Sequence, residues 1–303
     1  MLTINTVGPT IMNFGTDEQK QFFLPKILKG EIHFCIGYSE PGAGTDLAAL
    51  RTRAERDGEE YVINGQKMWT SLATDADFVW LAVRTNPNVK KHKGISLFAI
   101  PMDTPGIKVV PIHVMGESNI NQVFYEDVRV PATTRIGEEN EGWKLITNQL
   151  NHERVTLCSS GVIERPLGEV REWATQTRLP DGRRVIDQEW VQLSLARVHA
   201  RLEFLRLINW KIAWASTQKS LHPADASATK VFGTEFYLEA LRLLMEILGQ
   251  HAYLKDDSPG ELLGARLEHQ YRGLIILTFG GGTNEVQRDL IAVFGLGMPL
   301  APR

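Results

Sequence analysis

The chain has 303 residues, with 36 acidic and 33 basic side chains and a formal net charge of −3, so it carries no basic excess of the kind that binds duplex nucleic acid. Its 43% hydrophobic and 23% charged content argues for a folded globular protein of roughly two domains and against disorder. Two cysteines, Cys35 and Cys158, cannot form a disulfide framework, no apolar run reaches the ~18 residues of a membrane span, and the opening MLTINTVGPT does not read as a secretory signal; a cytoplasmic protein in a reducing compartment is expected.

Residues 1–32 read as a helical stub, with Phe22, Phe23 and Ile27 at helical spacing and Pro25 predicting a break. From His33 the signals turn to strands. Phe34, Ile36 and Tyr38 alternate with other residues, and Asp57-Gly58 and Asn64-Gly65 bracket Tyr61-Val62-Ile63 as two tight turns. Short apolar runs at 78–83, 95–100, 107–112 and 123–130 complete a β-sandwich or barrel over 33–135. Beyond Pro131 the period is helical. One helix or two cover 141–177, and a loop at Pro180-Asp181-Gly182 follows. In the next helix Leu193, Ala196, Ala200, Phe204, Leu207, Trp210 and Trp214 mark the apolar face. Helices at about 224–248 and 261–278, a glycine knot at 279–284 and a short last helix complete a bundle over 136–303.

Four segments invite chemistry, each with a plainer reading beside it. In Tyr38-Ser39-Glu40-Pro41-Gly42-Ala43-Gly44-Thr45-Asp46 the glycines would let backbone N–H groups approach an anion or a flat cofactor; the plain reading is a turn between strands. It is neither a phosphate-binding Walker loop nor a nucleophile elbow. Asn64-Gly65-Gln66-Lys67-Met68-Trp69-Thr70-Ser71 offers an indole flanked by two hydroxyls, fit to cover an aromatic cofactor, or else a core tryptophan. Asn151-His152-Glu153-Arg154 is a solvated ion pair on a helix, or a carboxylate base in a partly dry pocket. The run from Gly280 to Asp289 reads most simply as a helix stop followed by a Thr/Asn cap. The eight histidines show no metal-ligand spacing.

Taken in order, SEPGAGTD, NGQKMWTS, GWKLITNQLNHER and FGGGTNEVQRD resemble the acyl-CoA dehydrogenase family over essentially the whole chain. The pattern is most similar to the bacterial steroid side-chain acyl-CoA dehydrogenases, which are α2β2 assemblies of two related subunits. The resemblance implies an α+β fold, with a central β-domain followed by a four-helix bundle. It also implies an FAD cofactor, an acyl-CoA substrate, a related β subunit and an electron-transfer flavoprotein as electron acceptor. On this resemblance Ile36, Tyr38 and Ser39 contact the flavin, and Thr45 lies near its pyrophosphate and the thioester. Trp69 covers the ring, Thr70 and Ser71 sit near its N5, and Thr283 and Glu285 serve its phosphate and adenosine side. Arg154 faces the acyl-CoA, and Asn151, also on the substrate side, neighbours the adenine moiety.

The resemblance also carries departures. Many members keep the catalytic base in a Tyr-Glu-Gly-Thr motif, where this chain has Gly281 in the glutamate's place. A smaller group places the base just before the arginine on the early bundle helix, and Glu153 occupies that position. Arg178 stands where the family uses an arginine on its twin's FAD, but the phenylalanine of that motif is missing from Arg178-Leu179-Pro180-Asp181-Gly182, and the later glycine-rich trans motif is degraded at Glu246-Ile247-Leu248-Gly249. A partner subunit supplying the complementary motifs is the expectation. The resemblance begins near the end of the family's N-terminal helical domain, so a form lacking most of that domain is expected. The competing readings are a non-catalytic structural subunit and an oxygen-using flavin enzyme of the same fold.

Overall fold

The computed structural model describes residues 2–218 and 220–299, the side chains of 151–156 excepted. The chain divides into two compact units, Met1–Glu153 and Arg154–Arg303. In the first, a π-helical turn (Thr3–Val7) leads into α1 (Gly8–Phe14) and α2 (Asp17–Lys29). A reciprocal cap starts α2: Gln19 N donates to Thr16 Oγ1 at 3.3 Å and Thr16 N to Gln19 Oε1 at 3.0 Å. The Gln19 amide also donates to the carbonyls of Thr133 and Arg135, at 2.9 and 2.8 Å. Contrary to expectation, Pro25 does not break this helix. Its lost N–H is outweighed by the cap, by acids in the first turn and lysines in the last, and by Phe23 and Ile27 buried against Phe34 and Trp80.

Eight strands follow: β1 (Phe34–Gly37), β2 (Arg53–Asp57), β3 (Glu60–Ser71), β4 (Phe78–Arg84), β5 (Ile95–Pro101), β6 (Ile107–Ile112), β7 (Ile120–Pro131) and β8 (Arg135–Ile136). Their order is β6-β7-β3-β2-β4-β5-β8, with β1 lying parallel to β4. β4 and β5 read as unbroken apolar runs because both their faces are covered. Val79, Leu81, Val83, Phe98 and Ile100 join Tyr61, Ile63, Val123 and Tyr125 in one core, while Trp80, Ala82, Leu97 and Ala99 meet the N-terminal helices in another. The Asp57-Gly58 turn does join β2 to β3. Asn64-Gly65 does not turn. It lies inside β3, at a register shift against β7, where a Cβ on Gly65 would stand 2.6 Å from Thr52 Oγ1. Close backbone approach, not chain reversal, demands that glycine.

Region 141–177 holds two helices, α3 (Gly142–Thr156), most of it in the first unit, and α4 (Gly161–Gln176). The second unit continues with α5 (Glu189–Thr217), α6 (Pro223–Leu248), α7 (Arg266–Leu274) and α8 (Asn284–Leu290). The stretch expected as one helix over 261–278 is the short α7 between two 3-10 turns, Leu263–Ala265 and Ile275–Thr278. α6 runs through the core, where Phe236, Leu241 and Leu244 pack with Cys158, Val170, Val198 and Leu202. The largest correction concerns α5. Its buried residues are Val191, Leu195, Val198, Leu202, Leu205, Ile212 and Ala215. The face read from the sequence as apolar, Leu193, Ala196, Ala200, Phe204, Leu207, Trp210 and Trp214, is the exposed one, Trp210 by 69%. Both faces of this helix are apolar, so periodicity alone could not choose between them.

Candidate functional site

The loop leaving β1 closes on itself. Glu40 and Ala43 exchange backbone hydrogen bonds of 2.9 and 3.1 Å over Pro41-Gly42, and Gly44, Thr45 and Asp46 stand exposed beyond them. Ile36 is half-buried and pairs with Trp80 across the β1–β4 ladder. The Tyr38 hydroxyl is engaged inside the protein, accepting from Trp80 Nε1 at 3.0 Å and donating to Gln149 Oε1. Ser39 is half-buried, and its carbonyl accepts Met68 N at 2.8 Å, joining this loop to β3.

A second and stronger tie lies beneath. Lys67, fully buried, donates to Glu40 Oε1 at 2.7 Å and to the Tyr38 carbonyl at 3.1 Å. Glu40, 8% exposed, accepts from the backbone N–H of Arg51 at 2.6 Å and of Thr52 at 2.9 Å. Burial pushes the Lys67 ammonium down to about 8 against the pull of the Glu40 charge. Burial alone would raise the Glu40 carboxyl, yet the Lys67 charge and the hydrogen bonds from Lys67, Thr52 and Arg51 hold it below its ordinary value.

Two residues past Lys67 the strand bulges. The register runs from Lys67 opposite Val123 to Thr70 opposite Asn121, so one extra residue sits on β3. Trp69 occupies the bulge at φ 64° with 54% of its surface exposed. A tryptophan in left-handed backbone is strained, and only its surroundings can hold it there. The reading of Trp69 as a core residue therefore fails; the buried indole of this unit is Trp80. Thr70, beside it, is buried with its hydroxyl lacking any hydrogen-bond partner. Asn121 Nδ2 donates to the Thr70 carbonyl at 3.1 Å, while its own Oδ1 is likewise unpartnered. Ser71, half-buried, ends the strand. An exposed ring next to a buried, unsatisfied hydroxyl suits a flat heteroaromatic ligand.

In the second unit the glycine knot is also tied by a lysine. Lys230, on α6 and fully buried, donates to the carbonyls of Thr278 and Gly282 at 3.2 and 2.8 Å and to Asn284 Oδ1 at 2.8 Å. Thr283 caps α8, its hydroxyl accepting Val286 N at 3.3 Å, and Glu285 lies exposed in the first turn. Hydrogen bonds from its own N–H and from Thr283 hold the Glu285 carboxyl below its ordinary value. Gly281 sits at φ 68°, a conformation that a glutamate would adopt only under strain. Arg178 Nη1 donates to the Gly182 carbonyl of its own turn at 2.8 Å. The side chains of Asn151, Glu153 and Arg154 lie outside the described residues. Among those described, no group of three or more His, Cys, Asp or Glu could hold a metal.

Lys67, Glu40, Asn121 and Lys230 carry no role in the sequence reading. Lys67 offered one signal, a charged residue at the same alternation as the buried Tyr61 and Ile63.

Residues 35–145 match the family described as acyl-CoA dehydrogenase, middle domain, and residues 140–296 match acyl-CoA dehydrogenase, C-terminal domain. The chain is 60% identical over 308 aligned residues to acyl-CoA dehydrogenase FadE26 of Mycobacterium tuberculosis, spanning 100% of this chain and 77% of that protein. Among solved structures it is similar to a chain of the ChsE4-ChsE5 complex from Mycobacterium tuberculosis, with 62% identity and a TM-score of 0.93 over 99% of this chain and 78% of that one. It is also similar to a chain of the Tcur3481-Tcur3483 steroid ACAD, with 49% identity and a TM-score of 0.94 over 99% and 77%. The chain belongs to the acyl-CoA dehydrogenase family. Its sheet unit and helical unit are the middle and C-terminal parts of that fold, and the class of activity is that of an oxidoreductase.

Proposed function

We propose that this chain is the base-bearing subunit of a heteromeric dehydrogenase that introduces an α,β double bond into a steroid side-chain CoA thioester, with FAD as cofactor and an electron-transfer flavoprotein as acceptor. The observation that carries the cofactor reading is the bulge, where Trp69 is exposed in strained backbone and the buried Thr70 hydroxyl lacks a partner. These residues fit a flavin. Trp69 would lie on its ring, with Thr70 and Ser71 donating toward its heteroatoms. Ile36, Ser39 and Thr45 would edge it; in the helical unit, Thr283 and Glu285 would serve a flavin's phosphate and adenosine end, and Arg178 that of a neighbouring subunit's flavin. Tyr38 would support the loop from below, since its hydroxyl is engaged within the protein.

When bound, the flavin supplies the acceptor for the hydride leaving the β carbon. The chain supplies the rest. Glu153 takes the α proton, on the opposite face of the acyl chain from the Trp69 platform, and Asn151 and Arg154 orient the CoA ester. General-base catalysis of this kind contributes about 10²–10⁴-fold. Glu153 is favoured as the base because Gly281 leaves no carboxylate at the alternative position and its left-handed backbone disfavours one.

The partner reading draws on the two similar assemblies, each named as two different chains, and on the exposed α5 face. Leu193, Phe204, Leu207, Trp210 and Trp214 make an apolar stripe of the kind that marks an interaction site. Its occupant in this reading is the related dehydrogenase subunit.

The test is the flavin spectrum of the chain purified alone and then co-expressed with a related dehydrogenase subunit. Yellow protein on co-expression, bleached anaerobically by a steroid-CoA ester and not bleached after Glu153→Gln, is the expected result. Full bleaching by the Glu153→Gln complex removes Glu153 as the base. Co-elution that survives a Leu207→Glu/Trp210→Glu change removes α5 as the partner face.

A further inference from the structure

We infer that the buried Lys67–Glu40 pair is a positioning element that holds the Tyr38–Asp46 loop and the Trp69 bulge together as a single platform for the flavin ring. The inference rests on the flavin reading above and adds residues that reading does not use. Lys67 and Glu40 touch no proposed ligand; they act through the groups on either side of them.

The pair joins three separate segments. Lys67 Nζ bonds the Glu40 carboxylate and the Tyr38 carbonyl, and the same carboxylate gathers the N–H groups of Arg51 and Thr52. One residue from Glu40 stands Ser39, and two residues from Lys67 stands Trp69. Between these lies the Met68 N to Ser39 carbonyl bond of 2.8 Å. Beside it, the glycine at position 65 lets β3 approach Thr52 more closely than any side chain permits. Hydrogen bonds of Lys67 and Met68 to Tyr38, Ser39 and Glu40 thus tie the loop to the bulge.

Energetics point the same way. Desolvating both charges is costly, and apolar replacements of such buried pairs are often as stable or more so. A pair of this kind contributes geometry more readily than stability. Geometry is what the bulge demands, because a non-glycine residue in left-handed backbone persists only where its neighbours over-determine it. The carboxylate also accepts from three donors, Lys67 Nζ and the N–H groups of Arg51 and Thr52, which an apolar contact could not reproduce.

The experiment compares the parent complex, co-expressed with its related subunit, with the double variant Lys67→Met/Glu40→Gln, chosen because it leaves no lone buried charge. Single-residue hydrogen exchange of the FAD-free form reads the amides of Arg51, Thr52 and Met68 against those of Val79, Leu81 and Val83 in the core. Titration with FAD then reads affinity and flavin emission. The expected result is exchange at least tenfold faster at the first three amides with the core amides unchanged. FAD affinity falls at least tenfold, and flavin emission, quenched over Trp69 in the parent, recovers. Unchanged exchange at Arg51, Thr52 and Met68 overturns the inference, and so does faster exchange with parental FAD affinity and quenching. If the parent itself binds no FAD, the functional reading fails and the inference falls with it, an outcome recognisable because it precedes any variant.

Discussion

The two glycine-bearing turns of this protein are each held by a buried lysine, and they are held differently. In the sheet unit Lys67 meets a carboxylate that is itself fixed by two backbone N–H groups, so that a loop and a strand far apart in sequence are matched. In the helical unit Lys230 reaches from α6 into a single turn and collects two of its carbonyls and a side-chain amide. A cage of carbonyl oxygens shapes one turn locally. A carboxylate bonded from several sides specifies which segments lie together. The Lys230 arrangement answers to the loss of a donor and the Lys67–Glu40 arrangement to charge, which separates their expected responses to mutation and pH.

The sharpest break of that comparison is Lys67→Met alone. It strands the Glu40 carboxylate in a dry site and is expected to lower the unfolding free energy by about 3–5 kcal/mol, measured by urea titration. Adding Glu40→Gln should return most of that loss; a double variant as unstable as the sum of its parts would falsify the coupling. Lys230→Met is next, at about 2–3 kcal/mol for three acceptors deprived of their donor, with faster hydrogen exchange confined to the region 278–284.

The pH response is smaller and has a definite sign. Because the folded Glu40 carboxyl lies below its ordinary 4.5, its contribution is present above that value and is lost as pH falls through the folded one. Because Lys67 is pushed from 10.5 to about 8, the unfolded chain binds the extra proton between those values, and stability from this group rises with pH across that window. Urea midpoints from pH 3 to 10.5 should show both limbs in the parent, each flattened in the Lys67→Met/Glu40→Gln variant. The smallest effect is opposite in direction. Trp69→Gly relieves left-handed backbone at an exposed site and should raise stability by about 1 kcal/mol in a melting experiment, while FAD affinity falls.

Much of this arrangement was legible in the sequence because the motifs sit in local context. The strand-then-helix texture, the turn after Asp57 and the order of the four glycine- and hydroxyl-bearing segments follow from neighbouring residues. What escaped depends on the third dimension. Asn64-Gly65 has the composition of a turn, yet it runs on inside β3, where Thr52 lies against Gly65. Pro25 is a helix breaker within a helix whose termini and buried face override it. The two apolar faces of α5 are alike in composition, and only the packing of α4 and α6 decides which is covered. Lys230 looks like any lysine, and Lys67 stands out only by its alternation with Tyr61 and Ile63, until their carbonyl and carboxylate partners, tens of residues distant, are in place.

The two cysteines have a practical consequence. Cys35 and Cys158 are buried, and burial pushes both thiols up to about 12. Alkylating reagents attack the thiolate, so the folded chain should behave toward maleimides at neutral pH as though it carried no cysteine. A single Trp214→Cys change on the exposed flank of α5 would then offer one labelling position without removal of either native thiol. A fluorophore there would turn arrival of a partner subunit into an optical signal, and sudden labelling of Cys35 or Cys158 would report the moment the fold opens.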